Sequence, residues 1–176
     1  NVTRITDPAG NARIVTYNPT FNKVTSITNP LKNTTRFEYD SKGNLTAVVD
    51  PPGNRTTIAH NNFGQSITTA DPLGNVTSFT YDSLGSLTQI TDPLGNRSQR
   101  SYDAVFRVIS RTDARGKVRS FDYDGLNRIT MLTDPSDGLT QFAYDGNGNL
   151  LSVTDARGNV TSYSYDQIAD FLTTGY

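Results

Sequence analysis

Apolar and polar positions alternate along this chain in short runs, and the runs restart on a fixed period. In Val76-Thr77-Ser78-Phe79-Thr80-Tyr81, Phe79 and Tyr81 stand two residues apart. On a strand they share one face, and Ser78 and Thr80 take the other. The same split recurs at Phe37 and Tyr39, Phe121 and Tyr123, Phe142 and Tyr144, and Tyr163 and Tyr165. Positions facing the other way are small or polar: Glu38, Thr80, Ser101, Asp122 and Ser164. A shorter run follows each of these, with Leu45, Leu87, Val108, Ile129 and Leu150 as its first apolar positions. Val48, Ile90, Leu132 and Val153 come three residues later. That odd offset predicts a β-bulge, or a side chain turned to the opposite face. Thr, Tyr, Phe, Val and Ile favour strands, and helical periodicity is absent.

Turn chemistry separates the runs. In Asp71-Pro72-Leu73-Gly74 the Asp carboxylate can accept from backbone amides just ahead, Pro presets φ, and Gly tolerates positive φ. Asp82-Ser83-Leu84-Gly85 gives a second turn signal. The first kind of turn recurs like a ruler at Asp7, Asn29, Asp50, Asp71, Asp92, Asp113, Asp134 and Asp155, with a first gap of 22 residues and then six of 21. An aromatic ladder runs in phase: Tyr17, Tyr39, His60, Tyr81, Tyr102, Tyr123, Tyr144 and Tyr165. A constant period marks a repeat array, in which each unit buries its apolar face against its neighbours.

The fold predicted is all-β: tandem 21-residue β-hairpins adding to a curled antiparallel ribbon, a solenoid-like spiral wall. Residues 1–176 read as a single continuous array of about eight units, without a linker. Such a ribbon has about 16 strands and is about 75 Å wide at roughly 4.8 Å per strand. A sheet this wide twists or curls, and the aromatic face is expected inside the curl. The chain starts and stops within repeats, lacks an initiator Met and a signal peptide, and so reads as a fragment of something longer. The open edges are expected to pair with further chain, or with copies of the fragment end to end.

Lapses in the period are informative. An extra residue lies between Tyr17 and Val24, and Lys32 stands where Gly74 and Gly95 stand elsewhere. If that corner has positive φ, a non-glycine residue costs roughly 1 kcal/mol. His60 and Asn61 replace the usual Tyr and Asp, and the Gln167–Phe171 stretch loses the turn glycine.

Composition narrows the chemistry. The chain is 34% hydrophobic and 19% charged, which suits a sheet with one wet face. Cys is absent, so disulfides and thiolate metal sites are excluded. The net charge is −1 with Arg and Lys scattered through the repeats, so no nucleic-acid stripe is evident. No apolar run approaches the roughly 18–20 residues of a membrane span.

The Asp ruler could be a column of metal ligands, but Pro and Gly companions favour capped turns. Asp145-Gly146-Asn147-Gly148-Asn149 imitates the start of a calcium loop, then puts Leu150 at its glycine and Ala156 at its bidentate acid, so it reads as a turn. The Tyr ladder could be a platform for sugars, and cross-strand packing is the favoured reading. The single His, His60, stands in for a repeat Tyr, and the single Glu, Glu38, is on the wet face. Asp122 and Asp124 flank Tyr123 without a base or nucleophile in register. Asn-x-Thr sequons at Asn33, Asn44, Asn75 and Asn159 follow from a turn Asn preceding a strand Thr. No catalytic, metal or cofactor site is assigned.

Tyr39-Asp40-Ser41-Lys42-Gly43-Asn44-Leu45 and Tyr144-Asp145-Gly146-Asn147-Gly148-Asn149-Leu150, each followed by a Thr-Asp-Pro-Leu-Gly-Asn type of turn, resemble the YD repeats of the Rhs family over essentially the whole chain. Phe21-Asn22-Lys23-Val24-Thr25-Ser26 resembles a variant unit of bacterial members. The resemblance implies a β-ribbon wound into a hollow cocoon. In bacterial polymorphic toxins and insecticidal toxin complexes such a shell encloses a C-terminal toxin; in animal teneurins it belongs to an adhesion protein. The family's conserved core with its aspartyl self-cleavage site is not recognisable here, and neither is a toxin domain. The leading expectation is a non-enzymatic shell segment whose partners are the rest of its shell and the enclosed toxin, secreted, surface-borne or delivered through a secretion apparatus. The alternative is an extracellular adhesin or carbohydrate-binding repeat; a self-processing protease lacks the parts.

Overall fold

A computed structural model describes residues 1–166 and carries the strands that the alternation predicts. They are β1 (Arg4–Thr6), β2 (Ala12–Tyr17), β3 (Val24–Thr28), β4 (Thr34–Tyr39), β5 (Leu45–Val49), β6 (Arg55–His60), β7 (Ser66–Ala70) and β8 (Val76–Tyr81). They continue as β9 (Leu87–Thr91), β10 (Arg97–Tyr102), β11 (Val108–Thr112), β12 (Val118–Tyr123), β13 (Ile129–Thr133), β14 (Leu139–Tyr144), β15 (Leu150–Thr154) and β16 (Val160–Ser162). The sixteen form one open antiparallel sheet in chain order. No helix occurs among the described residues. The change expected at Gln167–Phe171 lies outside the described residues.

The odd offset in the short strands is a bulge. Tyr39 lies opposite Leu45 and Glu38 opposite Ala47, so Thr46 is the extra residue of β5. The same shift recurs where β12 meets β13 and β14 meets β15, leaving Thr130 and Leu151 unopposed. Each bulge returns the next apolar residue to the aromatic face: Phe37 lies opposite Val48, Phe121 opposite Leu132, and Phe142 opposite Val153. Cross-strand pairs of this kind contribute roughly 0.2–1 kcal/mol each and are the unit of sheet stability.

The chain divides into two compact units, residues 1–82 with 89–97, and residues 83–88 with 98 onward. In the first, Phe37, Tyr39, Phe79 and Tyr81 are half-buried, and Glu38 and Thr80 on the other face are exposed. In the second, Phe121, Tyr123, Phe142 and Tyr144 are half-buried above exposed Asp122 and Ala143. Among the apolar side chains of the described residues only Val15 and Ala47 are buried, at 8% and 0% exposure. Ala47 sits on the wet face between Glu38 and Thr57, where the ion pair from Arg55 to Glu38 crosses its strand. A single layer of strands thus leaves its aromatic face only half covered.

Lys32 has φ of 66°, the left-handed corner expected for the glycine it replaces. Asn22, Phe106, Asn127 and Asp137 occupy the same region. The extra residue before Val24 widens the β2–β3 connection, where the amide of Asn22 donates to the Asn18 carbonyl at 2.9 Å. That connection carries Phe21 onto Gly43 of the following turn.

Candidate functional site

The ruler aspartates close turns. At Asp71 the amide of Gly74 donates to the Asp carbonyl at 3.0 Å, and the Asp amide donates to the Asn75 carbonyl at 3.0 Å. Oδ1 accepts from the amides of Leu73 and Asn75, both at 2.9 Å, and Oδ2 accepts from Asn75 Nδ2 at 2.7 Å. Both carboxylate oxygens are therefore engaged by the turn itself. Asp7, Asp50, Asp92 and Asp155 hold Asn11, Asn54, Asn96 and Asn159 in the same way. Asn29 accepts from the Asn33 amide at 2.9 Å. Asp113 accepts from the amides of Arg115 and Lys117, and Asp134 from those of Ser136 and Gly138.

These bonds stabilise the charged carboxylate. The Asn75 side chain and then its amide hold the Asp71 carboxyl below the ordinary range, and Asn11 and Asn159 do the same for Asp7 and Asp155. For Asp134, which faces a glycine, the Gly138 amide leads.

The second turns repeat this chemistry. Asp40 and Asp145 bind Asn44 and Asn149, so the stretch at 145–149 that imitates a calcium loop closes a hairpin. Where Arg replaces Asn, its Nε takes over Oδ2: Arg107 to Asp103 at 2.6 Å and Arg128 to Asp124 at 2.7 Å. The same side chains reach the next hairpin, where Arg107 Nη1 donates to the Asp124 carbonyl at 3.0 Å and Arg128 Nη1 to that of Asp145 at 2.9 Å. On the way Arg107 lies 4.8 Å above the Tyr123 ring centre, and Arg128 lies 4.6 Å above that of Tyr144.

The tyrosine hydroxyls tie neighbouring hairpins together. Pairing between β3 and β4 stops at Ser26 opposite Arg36, so the Val24 carbonyl falls outside the ladder. Tyr39 supplies the missing donor, its hydroxyl 2.8 Å from that carbonyl. The contact recurs fifteen residues back from every ladder tyrosine: Tyr17 to Val2, Tyr81 to Ser66, Tyr102 to Leu87, Tyr123 to Val108, Tyr144 to Ile129 and Tyr165 to Leu150. At the His60 rung the contact differs. Its Nε2 meets Ser66 Oγ at 3.2 Å, and its Nδ1 is buried without a hydrogen-bond partner.

Asp122, Asp124, Glu38 and His60 are not brought together; Glu38 pairs with Arg55 and Asp124 with Arg128. Among the described residues no three of His, Asp and Glu gather as metal ligands do, and no helix is long and apolar enough to cross a membrane. Sequence reasoning missed the turn partners, although an Asn four residues after the Asp recurs visibly. It also missed the tyrosine hydroxyls, since no pattern of residue types announces a bond to a carbonyl. Finally, the arginines read as scattered are partly gathered: Arg100, Arg111 and Arg119 lie on neighbouring strands.

The sequence profile of the Teneurin YD-shell family matches residues 55–175, and that of the RHS Repeat matches residues 17–56. No curated protein matches the chain in sequence. Among solved structures, the Photorhabdus luminescens Tc holotoxin pore aligns with TM-score 0.67 at 18% identity, over 86% of this chain and 9% of that one. TcdB2–TccC3 without its hypervariable C-terminal region aligns with TM-score 0.67 at 17% identity, over 86% and 10%. TcdB2–TccC3–Cdc42 aligns with TM-score 0.66 at 18% identity, over 82% and 9%. The chain thus spans about a tenth of the length of the structures it matches.

Proposed function

We propose a structural role for this chain, which belongs to the Teneurin YD-shell family: it is a length of shell wall that, with further repeats, encloses and protects a toxic polypeptide during delivery. The observation that carries this reading is the one-layer sheet with its half-covered aromatic face. A contiguous row of partly covered Phe and Tyr rings on one sheet face marks a surface that packs against further chain. A wall that closes on itself with its aromatic face inward supplies that cover. The bonds described above are spacers and ties; none presents a nucleophile, a base or an open ligand set, which supports a non-catalytic role.

The named neighbours lend support at the level of the whole assembly. One is a Tc holotoxin pore, and another is described as lacking a hypervariable C-terminal region. On this reading the present chain acts outside the cell that makes it, as part of a secreted or delivered toxin. The glycan-binding alternative needs free ring faces, and Arg107 and Arg128 already lie over Tyr123 and Tyr144.

Limited proteolysis of the full-length protein tests the proposal. The enclosed polypeptide should resist protease in the intact protein. It should become sensitive when Phe121→Pro removes a ladder donor from the middle of β12. Equal sensitivity before and after the substitution contradicts enclosure.

A further inference from the structure

The apolar ladder is interrupted at one place by arginine. Arg100 in β10 occupies the position of Phe37, Phe79, Phe121 and Phe142, and Arg111 in β11 that of Val48, Ile90, Leu132 and Val153. Pairing sets Arg100 opposite Arg111, and Arg111 opposite Arg119 of β12. The three stand side by side on adjacent strands, with backbones about 5 Å apart. They share the face of Tyr102, Val108 and Phe121, since Tyr102 lies opposite Val108 across the bulge. All three are exposed, whereas the Phe and aliphatic residues at the positions of Arg100 and Arg111 in other units are half-buried.

With Lys117 they border a cleft of about 310 Å³. The Arg111 guanidinium lies 5.7 Å from the Phe121 ring centre. Among the described residues no ion pair engages Arg100, Arg111 or Arg119; the pairs formed are those of Arg55, Arg107 and Arg128. Two acids approach the row. Asp113 lines the cleft with both its turn amides on Oδ1, and Asp134, held by its own turn, lies within the electrostatic reach of Arg119.

Like charges facing each other across strands destabilise a sheet, and replacing Phe and Val by Arg gives up apolar contact. Costly departures from a local pattern are expected at functional sites. We propose that this arginine row is a binding site for an acidic polypeptide segment, whose carboxylates lie on the guanidinium forks and whose apolar side chains meet Phe121 and Val108. The planar fork of Arg matches a carboxylate bidentately. A nucleic acid fits less well because the basic area is short. Residues 97–119 hold seven of the sixteen basic side chains and two of the seventeen acids, and the remainder holds nine bases against fifteen acids. A long phosphate chain would leave the row and meet acidic surface. The site stands whether or not the repeats enclose a cargo.

Fluorescence anisotropy with the full chain tests it, using a labelled ten-residue peptide of alternating glutamate and leucine. A lysine-for-glutamate peptide and a single-stranded oligonucleotide serve as rival probes. The acidic peptide should bind, and binding should fall steeply as salt rises from about 0.05 to about 0.5 M. Arg100→Phe with Arg111→Ile copies the residues at Phe79 and Ile90, so the ladder is kept; it should weaken binding about tenfold or more. Arg4→Ser with Arg157→Ser removes equal charge elsewhere and should change binding less than about twofold. No binding of the acidic peptide, an unchanged affinity in the first variant, or tighter binding of the oligonucleotide overturns the proposal.

Discussion

The hydroxyl of Tyr123 donates to the carbonyl of Val108, fifteen residues back and 2.8 Å away. Val108 begins the short strand of one hairpin, and Tyr123 ends the long strand of the next. The bond continues the pairing of β11 with β12 past the point where backbone pairing stops, at Ser110 opposite Ser120. Phenylalanine would keep the ring and lose the donor. Tyr123→Phe should therefore destabilise the chain by about 1 kcal/mol, read as a lower urea midpoint at unchanged slope. An unchanged midpoint would mean that water replaces the hydroxyl without loss.

The His60 rung should respond in the opposite sense. Buried Nδ1 lacks a partner, and tyrosine is the residue that every other rung uses. His60→Tyr should bring a hydroxyl toward the Leu45 carbonyl and raise stability by about 1 kcal/mol. A lower urea midpoint for this variant would contradict the ladder as a tie between hairpins.

Gly43 and Gly74 separate backbone strain from packing. Both have φ of 83°, so alanine at either should cost about 1 kcal/mol. A Cβ at Gly74 would meet open space, whereas one at Gly43 would lie 3.0 Å from Phe21 Cδ1. Gly43→Ala should therefore cost more than Gly74→Ala, and Phe21→Ala in the Gly43→Ala background should remove the excess. Equal costs in denaturant titrations would show that the Phe21 ring shifts freely.

Acid should unfold the array through its turns. The carboxyls of Asp71, Asp92 and Asp155 titrate below the ordinary range in the folded chain, led by hydrogen bonds from Asn75, Asn96 and Asn159. In the unfolded chain they return to that range and bind protons more readily. Stability should then be complete above the ordinary carboxylate range and fall as pH drops through it toward the lowered native values. Urea midpoints should be level between about pH 7 and 5 and decline below about pH 4. A midpoint that rises on acidification would contradict the role assigned to the turn carboxylates.

Much of this was legible in the sequence because both signals are local. Phe79 and Tyr81 share a parity, and Asp71 travels with Pro72 and Gly74, so strand and turn follow without knowledge of distant contacts. Even the bulge showed itself, through the three-residue step from Leu45 to Val48. The Tyr123 bond to Val108 was not legible, because it depends on where backbone pairing stops. Nor was the arginine row. Arg100, Arg111 and Arg119 are spaced 11 and 8 residues apart, and only register across two turns puts them side by side.

Enclosure within a shell is tested by cryo-electron microscopy of the full-length protein. Residues 4–162 should run as consecutive strands in the wall of a closed chamber, with Phe79, Phe121 and Phe142 facing inward and density for a further polypeptide inside. An open ribbon with those rings facing solvent, or a closed chamber with no enclosed chain, would contradict it.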